Sequence, residues 1–138
     1  MKRITLLSAL LLSATTAFAG QLQLGSNVRV LTLNGEPVDA YHQNLDIGPG
    51  SQVITVRYDA LFEANAEDHE FVRSPVQVIR FESMPNERYM LQAPIMDLRQ
   101  ARHFAEDPHF QLTRSDGERI AHRTWSRDEL LAELLARP

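Results

Sequence analysis

The chain has 138 residues, carries 14 lysine and arginine against 18 aspartate and glutamate side chains for a formal net charge of −4, and contains no cysteine. Its length allows one small domain with a single core. Without cysteine it forms no disulfide, thiol nucleophile or cysteine-ligated metal site, and its acidic balance argues against nucleic acid, whose phosphates need clustered cations.

In chain order, Lys2 and Arg3 come first, then the compact apolar stretch Ile4 to Leu12, then Ala17-Phe18-Ala19 with small residues where a signal peptidase reads. This layout predicts a secretory signal peptide over residues 1–19, cleaved near Ala19, rather than a buried N-terminal helix. The apolar run is too short to span a bilayer, and no later segment is long or apolar enough to do so. No cysteine comes after it to carry a lipid. A periplasmic or secreted product is expected, with residues 20–125 as the main domain. Loss of Lys2 and Arg3 takes its charge from −4 to −6. Every lysine or arginine after Lys2 is an arginine, a pattern that coding bias explains more simply than a preference for a flat, permanently charged donor.

Gln21 to Leu24 alternate polar and apolar, the period of a half-buried strand. Val28 to Leu33 alternate likewise, with Val28, Val30 and Thr32 expected on one face and Arg29, Leu31 and Leu33 on the other. Asn34-Gly35 suits a type I′ turn, whose two central residues take positive φ, and Glu36-Pro37-Val38 starts the return strand. Leu45-Asp46-Ile47 leads through Gly48-Pro49-Gly50 into a β-rich stretch from Gln52 to Tyr58. In that stretch Val53, Thr55 and Arg57 oppose Gln52, Ile54, Val56 and Tyr58.

Ala60 to Glu70 lacks that alternation. Glu63, Glu67, Asp68 and Glu70 make it acidic, and it reads as an exposed loop. Val76 to Phe81 and Arg88 to Ala93 read as strands around the Met84-Pro85-Asn86-Glu87 turn. Residues 95–109 are mixed, with a break at Asp107-Pro108. Phe110 to Thr113 and Arg119 to Ala121 flank Ser115-Asp116-Gly117, a second hairpin signal. Several short strands at this spacing predict a mainly β fold, a small antiparallel β-sandwich. Residues 126–138 change period. Ser126 followed by Glu129 forms a capping box, Trp125 and Leu130 match a hydrophobic staple, and Leu130, Leu131, Leu134 and Leu135 make one apolar face of a short C-terminal α-helix. A helix this short must dock, either on its own sheet or on a partner through residues such as Leu130 and Leu134.

Catalytic chemistry leaves little trace. His103, Asp107 and His109 could converge on a metal or serve as surface histidines, since their spacing fits no zinc motif. Glu67, Asp68 and Glu70 lack the glycine and ligand ladder of a calcium loop and read more simply as a solvated acidic segment. No nucleophile elbow surrounds Ser51 or Ser115, and no glycine-rich phosphate loop is present. A non-enzymatic protein without cofactors is expected.

One resemblance goes further. Leu22-Gln23-Leu24, Val30-Leu31-Thr32-Leu33-Asn34-Gly35-Glu36-Pro37-Val38, Leu45-Asp46-Ile47-Gly48-Pro49-Gly50 and Gln52 to Tyr58 carry it. Phe71-Val72-Arg73-Ser74-Pro75-Val76-Gln77-Val78, Ala101-Arg102-His103-Phe104 and Pro108-His109-Phe110-Gln111-Leu112 continue it. In order and spacing the chain resembles a family of small secreted proteobacterial proteins whose enterobacterial member is described as a curli synthesis inhibitor. That member has a longer C-terminal region. The resemblance implies an exported protein-binding module that restrains assembly of amyloid-type fibre subunits, with no catalytic residues to carry over. Strand addition at an exposed edge would supply the physics. Arg29, Arg57 and Arg80 are expected to face solvent and discourage self-polymerisation. The acidic segment Glu63, Glu67, Asp68 and Glu70 is expected to meet a basic partner. An envelope-associated or carbohydrate-binding module is the alternative, with Trp125 and three tyrosines as a thin supply for sugar stacking.

Overall fold

A computed structural model describes residues 20–138; the stretch read as a signal peptide lies outside the described residues. Ten strands are described: β1 (Gly20–Leu24), β2 (Val28–Leu33), β3 (Glu36–Pro37), β4 (Asn44–Ile47), β5 (Gly50–Glu63), β6 (His69–Arg73), β7 (Gln77–Ser83), β8 (Arg88–Gln92), β9 (Gln111–Arg114) and β10 (His122–Ser126). Two helices join them, α1 (Leu98–Glu106) and α2 (Arg127–Leu135). One sheet runs β4-β1-β8-β9; the other runs β10-β7-β5-β2-β3, with β6 added to the far end of β5. The ladders are antiparallel except β1–β8, which is parallel. The fold is the small β-sandwich that the strand spacing predicts.

Alternation builds the core. Leu22 and Leu24 from β1 and Tyr89 and Leu91 from β8 face Val28, Val30, Ile54, Val56 and Phe81 of the other sheet in one buried cluster. Phe81 and Tyr89 meet edge to face across the layers, centroids 5.6 Å apart, a favoured aromatic geometry.

The Asn34-Gly35 turn forms as its residues require, with φ of 51° and 83°. Its asparagine also locks the neighbouring strand. Asn34 Oδ1 accepts from the Val53 N–H at 2.8 Å, and Asn34 Nδ2 donates to Oε1 of buried Gln52 at 2.8 Å. Gln52 in turn donates to the Gly48 carbonyl at 2.9 Å, so this polar side chain enters the core with its groups paired.

Four expectations are corrected. First, the alternation of β2 does not run through to Leu33. A bulge between Val30 and Thr32 inserts Leu31, and a bulge reverses the facing of the residues beyond it. Leu33 therefore packs on the core, while Thr32 bonds Thr55 hydroxyl to hydroxyl at 2.7 Å. Second, Ala60 to Glu70 is not a loop. Glu63 ends β5 and Glu70 lies in β6, leaving only residues 64–68 as a turn. Third, residues 95–109 contain α1, capped by Asp97, whose side chain accepts from the Gln100 N–H at 2.8 Å. Fourth, of the arginines expected to face solvent, Arg80 is exposed, while Arg29 and Arg57 are half-buried; Arg57 and Arg80 lie on interior strands. The second hairpin is shorter than expected: β9 is followed by a single bridge, Thr113 to Arg119.

Candidate functional site

Strand β5 is long enough to belong to two structures. Its first half, from Gly50 to Val56, pairs with β7, and its second half, Asp59 to Glu63, pairs with β6. On the other side β2 pairs as far as Val28 opposite Tyr58, with one further bond from the Asp59 N–H to the Asn27 carbonyl at 2.9 Å. Beyond that point β5 and β6 form a two-stranded ribbon.

The ribbon's hydrogen-bond phase fixes which groups are free. The Ser74 N–H donates to the Tyr58 carbonyl at 2.9 Å, and the Ala64 N–H to the Asp68 carbonyl at 3.0 Å. Bonded and non-bonded pairs alternate in an antiparallel ladder, so Ala60–Val72 and Phe62–Glu70 are the bonded pairs between them. The N–H and C=O groups of His69, Phe71 and Arg73 therefore point away from β5, where no described strand pairs with them. Strand β10 occupies the equivalent side of β7 but ends at Ser126 opposite Gln77. There its capping box turns the chain into α2: Ser126 Oγ accepts from the Glu129 N–H at 3.0 Å, and the Glu129 carboxylate accepts from the Ser126 N–H at 2.8 Å.

One face of the ribbon is covered by α1. Ala60 and Val72 are buried, Phe62 and Leu98 pack at the core's margin, and Phe104 meets Tyr58 edge to face at 5.6 Å. Arg102 clamps Glu70, its Nη2 at 2.7 Å and its Nε at 2.9 Å from the same carboxylate oxygen. Burial pushes the Tyr58 hydroxyl's pKa up. No described element covers the opposite face. Leu61 and Phe71 sit opposite each other and are 45% and 67% exposed, and His69 stands edge to face on Phe71 at 6.2 Å. At the base Asp59 holds Arg73 at 3.1 Å and Arg57 at 3.7 Å.

Asn65 shapes the acidic tip by accepting from the N–H groups of Glu67 at 2.9 Å and Asp68 at 2.7 Å. Glu67 and Asp68 thus lie in the turn, Glu63 and Glu70 on the arms beside it. A groove of about 530 Å³ separates this tip from α1. Leu130 and Leu134 lie elsewhere, on α2, which contacts β10 and β7. Leu130 is half-buried and Leu134 exposed. Trp125 Nε1 donates to Glu133 at 2.6 Å, Arg123 stacks over the Trp125 ring at 4.7 Å, and the Trp125 bond, helped by Arg123 and Arg137, lowers the Glu133 carboxyl's pKa. Among the described residues, no three histidine, cysteine or acidic side chains come together as metal ligands; His109 instead pairs with Asp107 at 3.0 Å.

The residues that sequence reasoning passed over are Leu61, Phe71 and Arg102. Leu61 falls in the stretch read as loop, Phe71 lies just past its end, and Arg102 lies on the helix within the mixed residues 95–109. The cap Asp97 followed by Leu98, Ala101 and Phe104 was the available signal for that helix.

The family model described as "Uncharacterized protein conserved in bacteria (DUF2057)" matches residues 21–135. The chain belongs to this family. It is also similar to the UPF0319 protein Sbal223_2728 of Shewanella baltica (strain OS223), 28% identical over 124 residues, which cover 84% of this chain and 54% of that protein. The chain spans about half the length of that relative. No solved structure matches. In this DUF2057 protein no described helix is long and apolar enough to cross a membrane.

Proposed function

We propose that this DUF2057 protein is an exported, non-enzymatic protein-binding module that restrains assembly of extracellular curli-type fibre subunits by strand addition. The observation that carries the reading is the open edge of β6. Backbone groups at His69, Phe71 and Arg73 that no described strand pairs coincide with an exposed aromatic side chain on a strand that α1 holds in place. Folded proteins usually blunt such an edge with charge, proline or a covering segment. Two other edges in the fold are treated that way: β3 is two residues long and contains Pro37, and β9 is bridged by its own return segment. A growing fibre end is a row of unpaired strand groups, and an edge of this kind pairs with it and ends growth.

The glycan-binding alternative has less support. Tyr58 and Tyr89 lie in the core, Trp125 is covered by Arg123, and Tyr41 alone of the tyrosines is exposed, with Arg29 over its ring at 5.2 Å. The test is the growth of a purified curli-type subunit followed by dye fluorescence, with this protein present well below equimolar amounts. A lengthened lag supports the reading; unchanged growth removes it.

A further inference from the structure

We infer that β6 is also a self-pairing edge, through which two copies of this chain join antiparallel across a twofold axis at Phe71. The backbone phase suits it. His69, Phe71 and Arg73 all direct their N–H and C=O groups outward, so setting Phe71 opposite Phe71 of the second copy makes every outward pair a hydrogen-bonded one. His69 then lies opposite the second copy's Arg73, and Arg73 opposite its His69. The bare face becomes continuous. The two Phe71 rings adjoin at the axis, each flanked by the Leu61 opposite it, and contiguous apolar surface of this kind marks interaction sites.

Charge supports the same register. The two ends of β6 differ: the tip carries Glu63, Glu67 and Asp68, and the base carries Arg73 and Arg57 around the single carboxylate Asp59. An antiparallel pair sets the acidic tip of each copy against the basic base of the other. Counting on from His69 opposite Arg73, Asp68 falls beside Ser74, and Glu67, in the turn beyond it, comes nearest Ser74 and Pro75. Those two residues, with Arg57, Val76, Ser126 and Arg127, line a groove of about 370 Å³ between the ribbon and the start of α2. Asp128 lines it as well, so cations outnumber anions two to one. Arg57 Nε is buried with no hydrogen-bond partner among the described residues. A charge-complementary, self-complementary strand is what a twofold interface requires.

The dimer does not depend on the fibre reading and is measured on the protein alone. Its interface is one strand and one turn from each copy, at the weak end of protein contacts, so sedimentation velocity must span a wide concentration range. Mass is expected to rise from one chain to two with concentration, and more salt to weaken the association. Glu67→Arg and Arg127→Glu, both at exposed positions, should each weaken it about tenfold, because each change acts at two symmetry-related contacts. The double variant, with the charges exchanged, should restore it. Phe71→Glu should abolish it. A protein of one chain's mass at every concentration would overturn the inference. So would a dimer that is indifferent to Phe71→Glu, or single charge variants that the double variant does not rescue. Circular dichroism of each variant confirms that the fold is unchanged.

Discussion

Leu61 of β5 and Phe71 of β6 stand directly opposite each other on the uncovered face of the ribbon, while their neighbours Ala60 and Val72 are buried on the other face. One face of the ribbon thus anchors it to the domain. The other presents apolar surface beside backbone groups that no described strand pairs.

The first prediction separates these two roles. Phe71→Glu changes an exposed side chain and should shift stability by no more than about 0.5 kcal/mol. It places a charge on the open edge, which discourages strand pairing. At concentrations where wild type is a single chain, thermal unfolding should look like wild type, while the delay of fibre growth should disappear.

The anchoring face should respond in the opposite way. Phe104 contacts both Tyr58 and Phe110 edge to face, at 5.6 and 5.0 Å. Phe104→Ala should cost about 3–5 kcal/mol, read from the midpoint of urea unfolding. Arg102→Ala breaks only an exposed ion pair with Glu70 and should cost at most about 1 kcal/mol. Comparable losses from the two would mean that packing is not what holds the ribbon.

Asn34 holds a positive φ of 51° and bonds both Gln52 and the Val53 backbone. Asn34→Ala strains the turn and leaves the buried Gln52 carbonyl without this partner. The expected loss is about 2 kcal/mol, measured by denaturant titration with an unchanged slope.

Much of the sandwich was legible because its signals are local. Alternation in Gln52 to Tyr58, the Asn34-Gly35 turn and the Ser126–Glu129 capping box each need only a few neighbouring residues, and all three are found where expected. The bulge at Leu31 was not legible, because it is set by pairing with a strand more than 20 residues away and nothing in Val28 to Leu33 itself marks it. The ribbon was misread for a related reason. Its acidic residues suggest solvent, yet Glu70 is held by Arg102, 32 residues on, and Phe62 by a helix that the local pattern only weakly announces. Of the candidate binding residues in the sequence, Glu63, Glu67, Asp68 and Glu70 gather at one end of the ribbon, whereas Leu130 and Leu134 belong to α2.

Helix α2 supplies a pH prediction. The Glu133 pKa is lowered, chiefly by the hydrogen bond from Trp125. A lowered folded-state pKa adds stability that is present above the unfolded pKa and lost as the pH falls through the folded value. Docking of α2 should therefore be constant near neutrality and weaken below the ordinary glutamate range. Trp125 is the only tryptophan, so its fluorescence reports this alone. Glu133→Gln should remove the acid transition.

The proposed activity rests on the β6 edge meeting a fibre-forming strand. Its most direct test is the growth of a purified curli-type subunit with substoichiometric wild-type protein, set beside the Phe71→Glu variant at the same concentration. A longer lag is expected with wild type, and a lag near that of the subunit alone with the variant. Equal delay by the two proteins, both folded, would contradict it.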